Sequence, residues 1–206
     1  PVYSGIHVPS KAFAEVVEHE AHTPWISVED LQARIDARNN MVILDSRSYE
    51  EYHANSIPGA ISVPGAELVY RFKDLVPDEA TEVVVNCGGR TRSIIGAQAL
   101  INAGFSNPIV SLKNGTQDWH LAGYQVVVGA DRRPPPVSLE GIVAAKAGAQ
   151  RVAAHFGTRA IDGEALETLR RDSDTYTLFV LDVRTPEEFE AGHLPGTRPA
   201  PGGQLV

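Results

Sequence analysis

An internal repeat constrains the fold of this chain more than any other sequence feature. The segment Ile43 to Leu68 aligns without gaps with Val180 to Leu205, at an offset of 137 residues. Of the 26 aligned positions, 11 are identical, and they include a Leu-Asp-x-Arg motif that holds Asp45 and Arg47 in the first copy. Self-similarity at a fixed offset indicates that one structural unit occurs twice. We therefore expect one copy of a domain followed by the opening of another.

The repeat divides the 206 residues into four regions. We expect a complete domain over 23–130, a Pro-rich linker and helix over 131–157, and the first part of a second domain over 158–206. Residues 1–22 read as the tail of a preceding copy and a linker, because PVYSG at the start resembles QVVVG at 125–129. About 49 residues are too few to bury a core of their own. The second copy is therefore expected to be completed by a missing remainder, a homodimer partner or packing on the first domain.

Bulk composition excludes several classes of function. The net charge is −8 and there is no long basic run, which argues against binding to nucleic acid or to an anionic membrane surface. No apolar stretch approaches the roughly 20 residues that span a bilayer. The chain has one cysteine, Cys87, so it has no intramolecular disulfide framework. A reducing cytoplasm is the expected compartment, and the importance of Cys87 lies in its thiol.

Short apolar runs alternate with segments of helical periodicity, which predicts a parallel α/β sheet of about five strands with helices on both faces. Strands are predicted at 41–45, 82–86 and 109–112, and helices at 28–39, 49–54, 93–103, 117–122 and 141–156.

Cys87 stands at the point where a predicted strand meets a predicted helix. In open parallel sheets, the carboxyl ends of the strands are where ligands bind. Gly88 and Gly89 follow, so the backbone can turn sharply with positive φ. The N–H groups of residues 88–93 can then converge in front of the thiol, which favours the thiolate and holds anions. Arg90 and Arg92 add positive charge beside it.

Three segments together resemble a rhodanese domain. They are LDxR…EEY…IPGA…VP at 44–64, the Cys-loop-helix segment at 87–103, and NGTQDWHLAGY at 114–124. The resemblance covers 23–130 in full and 158–206 as a truncated copy, as in a tandem rhodanese-like protein. It implies a sulfurtransferase that moves a sulfane sulfur from a small anionic donor such as thiosulfate, through a persulfide, to cyanide or a thiol. The resemblance assigns Cys87 as the nucleophile, requires no cofactor or metal, and gives an anion-binding loop of Gly88, Gly89, Arg90, Thr91, Arg92 and Ser93.

The loop sequence leaves the donor open. Family members that use thiosulfate often have a basic residue one or two places after the cysteine, where this chain has Gly88 and Gly89. Members that use mercaptopyruvate often show Cys-Gly-Ser-Gly, whereas here the third and fourth residues are Gly89 and Arg90. Cysteine phosphatases and arsenate reductases of this fold place an arginine six residues after the cysteine, a position that Ser93 occupies here. This disfavours phosphoryl chemistry, while a non-catalytic binding or regulatory module stays open.

Other residues have a structural interpretation. Asp45 and Arg47 recur as Asp182 and Arg184, and we expect an ion pair that supports the end of the sheet. Trp119 is expected in the core. His19 and His22 have a spacing that could hold a metal, but no third ligand is evident in the sequence.

Overall fold

The chain divides after Arg151 into two compact units, which are described separately. A computed structural model describes residues 9–172 and 175–201. The prediction for residues 1–5 and the end of the repeat at 202–205 therefore lie outside the described residues. Within the described ranges, no helix has both the length and the hydrophobicity that crossing a bilayer requires.

A sheet of five parallel strands forms the centre of the first unit, in the order β1-β5-β4-β2-β3. The strands are β1 (Trp25–Ile26), β2 (Met41–Asp45), β3 (Ile61–Ser62), β4 (Glu82–Asn86) and β5 (Ile109–Leu112). The middle strand, β4, is buried along almost its whole length. A parallel sheet of this kind needs cover on both faces, which explains the continuous Val-Val-Val run.

Helices cover both faces of this sheet. They are α2 (Val28–Asp36), α3 (Tyr49–Ala54), α4 (Leu68–Leu75), α5 (Thr91–Asn102) and α6 (Gly115–Leu121), with a 3₁₀ turn at Gly65–Glu67. Helix α1 (Pro9–Ala21) packs on α5, and α7 (Leu139–Phe156) runs across the boundary at Arg151. Val83 and Val85 of β4 lie in one buried cluster with residues of α4 and α5. Val84, on the opposite face, lies in a second cluster with residues of α2, α3 and α6, including Trp119. Side chains that alternate across a strand thus supply both cores.

The predicted fold class is confirmed, with differences in detail. The three predicted strands have the observed bounds, as does α3. The predicted helix at 93–103 instead begins at Thr91, so the segment between β4 and α5 is shorter than expected. Strands β1 and β3 have two residues each, which is too short for an alternation of polar and apolar residues to be recognised in the sequence. Helix α4 was not predicted.

The second unit repeats a local structure of the first. It contains α8 (Gly163–Arg171), β6 (Leu181–Asp182), α9 (Pro186–Ala191) and β7 (Arg198–Pro199). Strands β6 and β7 are parallel with Leu181 opposite Arg198, which is the pairing of Leu44 with Ile61 shifted by the offset of the repeat. Both α3 and α9 begin with a capping box, in which a hydroxyl and a glutamate three residues later bond each other's backbone N–H. The domain boundaries expected from the sequence stay a prediction.

Candidate active site

Cys87 lies directly after β4, at the carboxyl end of the middle strand of the sheet. It is a free cysteine and only 2 % exposed. Its Sγ is 3.5 Å from the Oγ of Ser93, which is fully buried in the first turn of α5. The Ser93 hydroxyl also reaches the carbonyl oxygen of Arg90 at 2.9 Å. The segment 87–93, here named the Cys87 loop, therefore closes on itself around the sulfur.

The start of α6 binds the carbonyl groups of the Cys87 loop. The carbonyl oxygen of Cys87 accepts the N–H of Thr116 at 2.8 Å and the hydroxyl of Thr116 at 3.3 Å. The carbonyl oxygen of Gly88 accepts the N–H of Gln117 at 3.1 Å. In a trans peptide unit the N–H points opposite to the carbonyl. The N–H groups that follow these two carbonyls therefore face away from α6.

The backbone N–H groups of the Cys87 loop point toward the sulfur side of the loop and are free to bind a ligand. None of the backbone N–H groups of residues 88–93 donates a hydrogen bond to an oxygen in the described part of the chain. Three of them belong to the first turn of α5, where N–H groups have no partner within the helix. The Cys87 loop thus presents a set of unpaired donors next to a buried sulfur, an arrangement that suits an anion.

A glycine allows α6 to approach the Cys87 loop closely. Gly115 has φ of +57°, and a Cβ on it would lie 2.1 Å from the carbonyl oxygen of Cys87 and 2.8 Å from that of Gly89. Any other residue at position 115 would push α6 off the Cys87 loop.

The expectation of positive φ at Gly88 and Gly89 is wrong. Neither residue is among the described glycines with positive φ. A Cβ on Gly88 would meet only ordinary contacts, with Arg47 Cδ at 3.6 Å and Arg92 Nη2 at 3.8 Å, and a Cβ on Gly89 would meet nothing within 4 Å. The chain turns into α5 without left-handed residues because α5 begins directly after Arg90.

Asp45 and Arg47 form a buried ion pair beneath the site. Arg47 donates Nε to one oxygen of Asp45 at 2.9 Å and Nη2 to the other at 2.8 Å. Asn86 donates its Nδ2 to Asp45 at 2.9 Å and to the hydroxyl of Thr116 at 2.9 Å. Because Thr116 bonds the Cys87 carbonyl, the network runs without a break from Arg47 to the backbone of the cysteine. That Asp45 and Arg47 support the site stays a prediction. They would do so through this chain of hydrogen bonds.

Arg92 lies at the rim of the Cys87 loop and binds a carboxylate. Its guanidinium makes a two-pronged contact with Glu51 of α3, at 2.6 and 2.7 Å. The hydrogen bond from Arg92 is the main reason that the pKa of Glu51 is lowered. The same bond raises the pKa of Arg92, and negative charge on Cys87 and Asp45 adds to that effect. Arg92 is thus held at the rim of the Cys87 loop by a carboxylate of α3.

Arg90 points away from the Cys87 loop and toward α1. Its guanidinium forms an ion pair with Glu18 and lies 3.8 Å from a carboxylate oxygen of Glu15. The neighbouring Thr91 hydroxyl donates to the carbonyl oxygen of Ser10 at 3.2 Å. Whether Arg90 and Thr91 help to bind a substrate stays a prediction, but their side chains are occupied by α1.

Several residues of this arrangement were not found by sequence reasoning. They are Asn86, Gly115, Thr116 and the carboxylates of Glu15 and Glu18. Asn86 could have been noticed, because a polar residue that ends an otherwise apolar strand is a familiar signal. The others act through contacts between distant segments and leave no local pattern.

No feature of the described residues points to a metal site. No group of three or more His, Cys, Asp or Glu side chains in these ranges could hold a metal ion. His19 instead lies 3.7 Å from Glu20 on the surface of α1. Trp119 is buried in the core as expected, and its Nε1 donates to the carbonyl oxygen of Gln125.

Comparison with known proteins gives a consistent result. Residues 27–122 match the family model of the rhodanese-like domain. The structure is similar to that of the thiosulfate sulfurtransferase of Pseudomonas aeruginosa, with 54 % sequence identity and a TM-score of 0.91 over 96 % of this chain and 38 % of that one. The putative sulfur carrier protein YrkF of Bacillus subtilis is 30 % identical over 102 residues, which are 50 % of this chain and 54 % of that protein.

A further relative belongs to another class of protein. The HTH-type transcriptional regulator Rv0324 of Mycobacterium tuberculosis is 34 % identical over 90 residues, which are 44 % of this chain and 39 % of the regulator. The chain thus spans about half, or less, of the length of these three relatives.

Proposed function

We propose that this chain, whose residues 27–122 belong to the rhodanese-like domain family, is a sulfurtransferase that carries sulfur on Cys87. The single observation that carries the proposal is the set of unpaired N–H groups of residues 88–93 beside the buried Cys87 sulfur. The similarity to a thiosulfate sulfurtransferase over nearly the whole of this chain supports it.

The proposed reaction has two steps. The Cys87 thiolate attacks the outer sulfur of thiosulfate, a bond forms between the two sulfur atoms, and the old S–S bond breaks with its electron pair leaving on sulfite. The resulting persulfide is then attacked at its outer sulfur by cyanide or a thiolate, which leaves with that sulfur and returns the Cys87 thiolate. No external oxidant or reductant is needed, because each step is a displacement that passes a neutral sulfur atom from one nucleophile to the next.

The Cys87 loop provides what both steps need. The donor and the persulfide carry negative charge, and preorganised N–H dipoles stabilise such charge at no cost in reorganisation. Ser93 can turn its hydroxyl from the Arg90 carbonyl to the sulfur when the sulfur is charged, since both acceptors are within reach. Thr116 and Gln117 keep the carbonyl dipoles turned away from the anion.

The wider organisation is part of the same proposal. Residues 23–130 form the complete rhodanese domain and 158–206 the opening of a second one, supported by the shared offset in sequence and in strand register. We further propose that the donor is thiosulfate, that the acceptor is cyanide or a thiol, and that the compartment is the cytoplasm.

Intact-protein mass spectrometry tests the proposal directly. The protein is incubated with thiosulfate and then with cyanide, as the wild type and as Cys87→Ser. We expect the wild type to gain one sulfur atom that cyanide removes, and Cys87→Ser to gain none. A wild type that gains no sulfur from thiosulfate, mercaptopyruvate or polysulfide would overturn the proposal.

A non-catalytic binding or regulatory module is the second candidate. The observation that favours it is the similarity to a transcriptional regulator over 90 residues. It predicts partner binding that Cys87→Ser leaves unchanged. Phosphatase or arsenate reductase activity is not proposed, because the buried Ser93 lies beside the sulfur at the position where those enzymes need an arginine.

A further inference from the structure

The positive charges of the Cys87 loop are all paired with carboxylates that come from outside it. Arg92 binds Glu51 of α3, and Arg90 binds Glu18 of α1 with Glu15 nearby. Arg47, beneath the site, binds Asp45. The positive charge of each of these three guanidinium groups is therefore balanced by a carboxylate.

The Arg90 pair is the unexpected one. The backbone of Arg90 is part of the Cys87 loop, since its carbonyl oxygen accepts the Ser93 hydroxyl that lies 3.5 Å from the sulfur. Its guanidinium is nevertheless held on α1, where the Glu18 side chain is only 13 % exposed. An arginine side chain is long enough to reach a donor bound at the sulfur from this backbone position, so Glu18 decides which way it points.

Pairing matters most for donors with two negative charges. An ion pair has little net field at a third charge, whereas a free guanidinium attracts a dianion about twice as strongly as a monoanion. With its arginines paired, the Cys87 loop attracts anions chiefly through N–H dipoles. The net charge of −8 on the chain adds a general penalty for multiply charged anions.

We propose that Glu18 is a specificity-determining positioning residue, which holds Arg90 away from the bound donor and so lowers the preference of the site for doubly charged over singly charged sulfane-sulfur donors. This inference rests on the proposed sulfurtransferase function. Thiosulfate represents the doubly charged class and methanethiosulfonate the singly charged class. With the latter, the Cys87 thiolate takes the outer sulfur, the S–S bond breaks, and the electron pair leaves on methanesulfinate.

The test compares kcat/KM for the two donors with cyanide as acceptor. In Glu18→Gln we expect the ratio of thiosulfate to methanethiosulfonate to rise by up to about fivefold, the size of effect that a partly exposed ion pair can have. The change should lie in the KM for thiosulfate, with kcat little altered. Glu18→Asp keeps the charge and should keep the wild-type ratio.

Two controls separate this role from a merely structural one. Glu20→Gln removes the same charge from α1, but Glu20 is exposed and pairs with His19, so the ratio should not change. In an Arg90→Ala background, Glu18→Gln should no longer change the ratio, because the residue through which it acts is absent. If Glu18→Gln fails to fold, Glu15→Gln should shift the ratio in the same direction by a smaller amount.

Each outcome has a distinct meaning. A ratio in Glu18→Gln equal to that of the wild type, or a rise of equal size in the Arg90→Ala background, overturns this inference and leaves the proposed function standing. A wild type that gains no sulfur from either donor, nor from mercaptopyruvate or polysulfide, overturns the proposed function itself.

Discussion

The Cα of Gly115 lies so close to the backbone of Cys87 that a Cβ at this position would be 2.1 Å from the Cys87 carbonyl oxygen. That distance is well inside van der Waals contact, and the obstacle is backbone rather than a flexible side chain. The approach lets Thr116 bond the same carbonyl from the next position along the chain. The contact therefore couples the geometry of the nucleophile to the start of α6.

Gly115→Ala should lower the stability of the protein and the rate of persulfide formation by more than the cost of placing an alanine at positive φ. An alanine in the left-handed region costs roughly 1–2 kcal/mol, and the collision with the Cys87 carbonyl adds to this. Gly123→Ala is the matched control, because Gly123 also has positive φ, +83°, but a Cβ there meets nothing within 4 Å. Urea unfolding and the rate of persulfide formation would be measured for both. Equal behaviour of the two variants would contradict the importance of the close contact.

Asp45→Asn should destabilise the first unit strongly. Both oxygens of Asp45 accept from donors, so the amide of an asparagine must face an N–H of Arg47 or Asn86. The Arg47 charge would also remain buried without its partner, which typically costs about 3–5 kcal/mol. Chemical denaturation monitored by circular dichroism measures this loss.

Asp182→Asn is the control for this prediction. Asp182 and Arg184 have the same contacts as their counterparts, with Nε and Nη2 donating at 2.9 and 2.7 Å, but the side chain of Arg184 is 44 % exposed. Water can compensate the arginine there, so we expect a much smaller change. A loss as large as that of Asp45→Asn would show that burial is not the cause.

Ser93→Ala should slow sulfur transfer while leaving the fold intact. The variant removes a hydroxyl that lies 3.5 Å from the Cys87 sulfur. Hydrogen bonds to charged groups are worth about 1.5–3 kcal/mol, so persulfide formation should slow by roughly tenfold to a hundredfold. Stopped-flow measurement of sulfite release gives this rate. Ser111→Ala, which removes a buried hydroxyl bonded to Pro24 instead, should transfer sulfur at the wild-type rate.

The second unit should show a carboxyl group that titrates at unusually low pH. The hydrogen bond from Arg184 is the main reason that the pKa of Asp182 falls from 3.8 to about 2. Because the folded pKa is below the unfolded one, the stabilising effect is complete above about pH 4 and is lost as the pH falls toward 2. NMR titration of the Asp182 carboxyl carbon measures the value. Arg184→Met should return it toward 3.8, and a wild-type value already near 3.8 would refute the bond.

The parts of the fold that could be predicted are those with a local cause. Three strands are runs of apolar, largely β-branched residues with clear ends, and the sequence pattern placed all three at their observed bounds. Helix α4 could also have been predicted, since Leu68, Phe72 and Leu75 have the apolar spacing of a helix face. Strands β1 and β3 could not, because each is defined only by the neighbour that it pairs with.

The same division applies to the candidate site. Cys87 follows a strand and precedes a helix, so its location was accessible from the sequence. The direction of Arg90 was not, because it depends on Glu18, which lies 72 residues away along the chain. The hold of Thr116 on the Cys87 carbonyl likewise requires two segments to meet in the folded protein.

The geometry of the Asp-Arg pair also bears on how the protein is made. Arg47 reaches the carbonyl of Asn55 at 2.6 Å, and Arg184 reaches that of Gly192, its equivalent, at 2.8 Å. Among the described residues, β6 has only β7 as a neighbour, whereas β2 lies between β3 and β4. The bonds that Asp182 accepts from Arg184 are nevertheless the same as those that Asp45 accepts from Arg47. All of these contacts of Arg184 span eight residues or fewer. The contacts of Arg47 with Asp45 and Asn55 in the first unit are equally local. During synthesis on the ribosome, we therefore expect this brace of the first unit to form as soon as its own short segment emerges, before β4, the strand that precedes Cys87, pairs with β2.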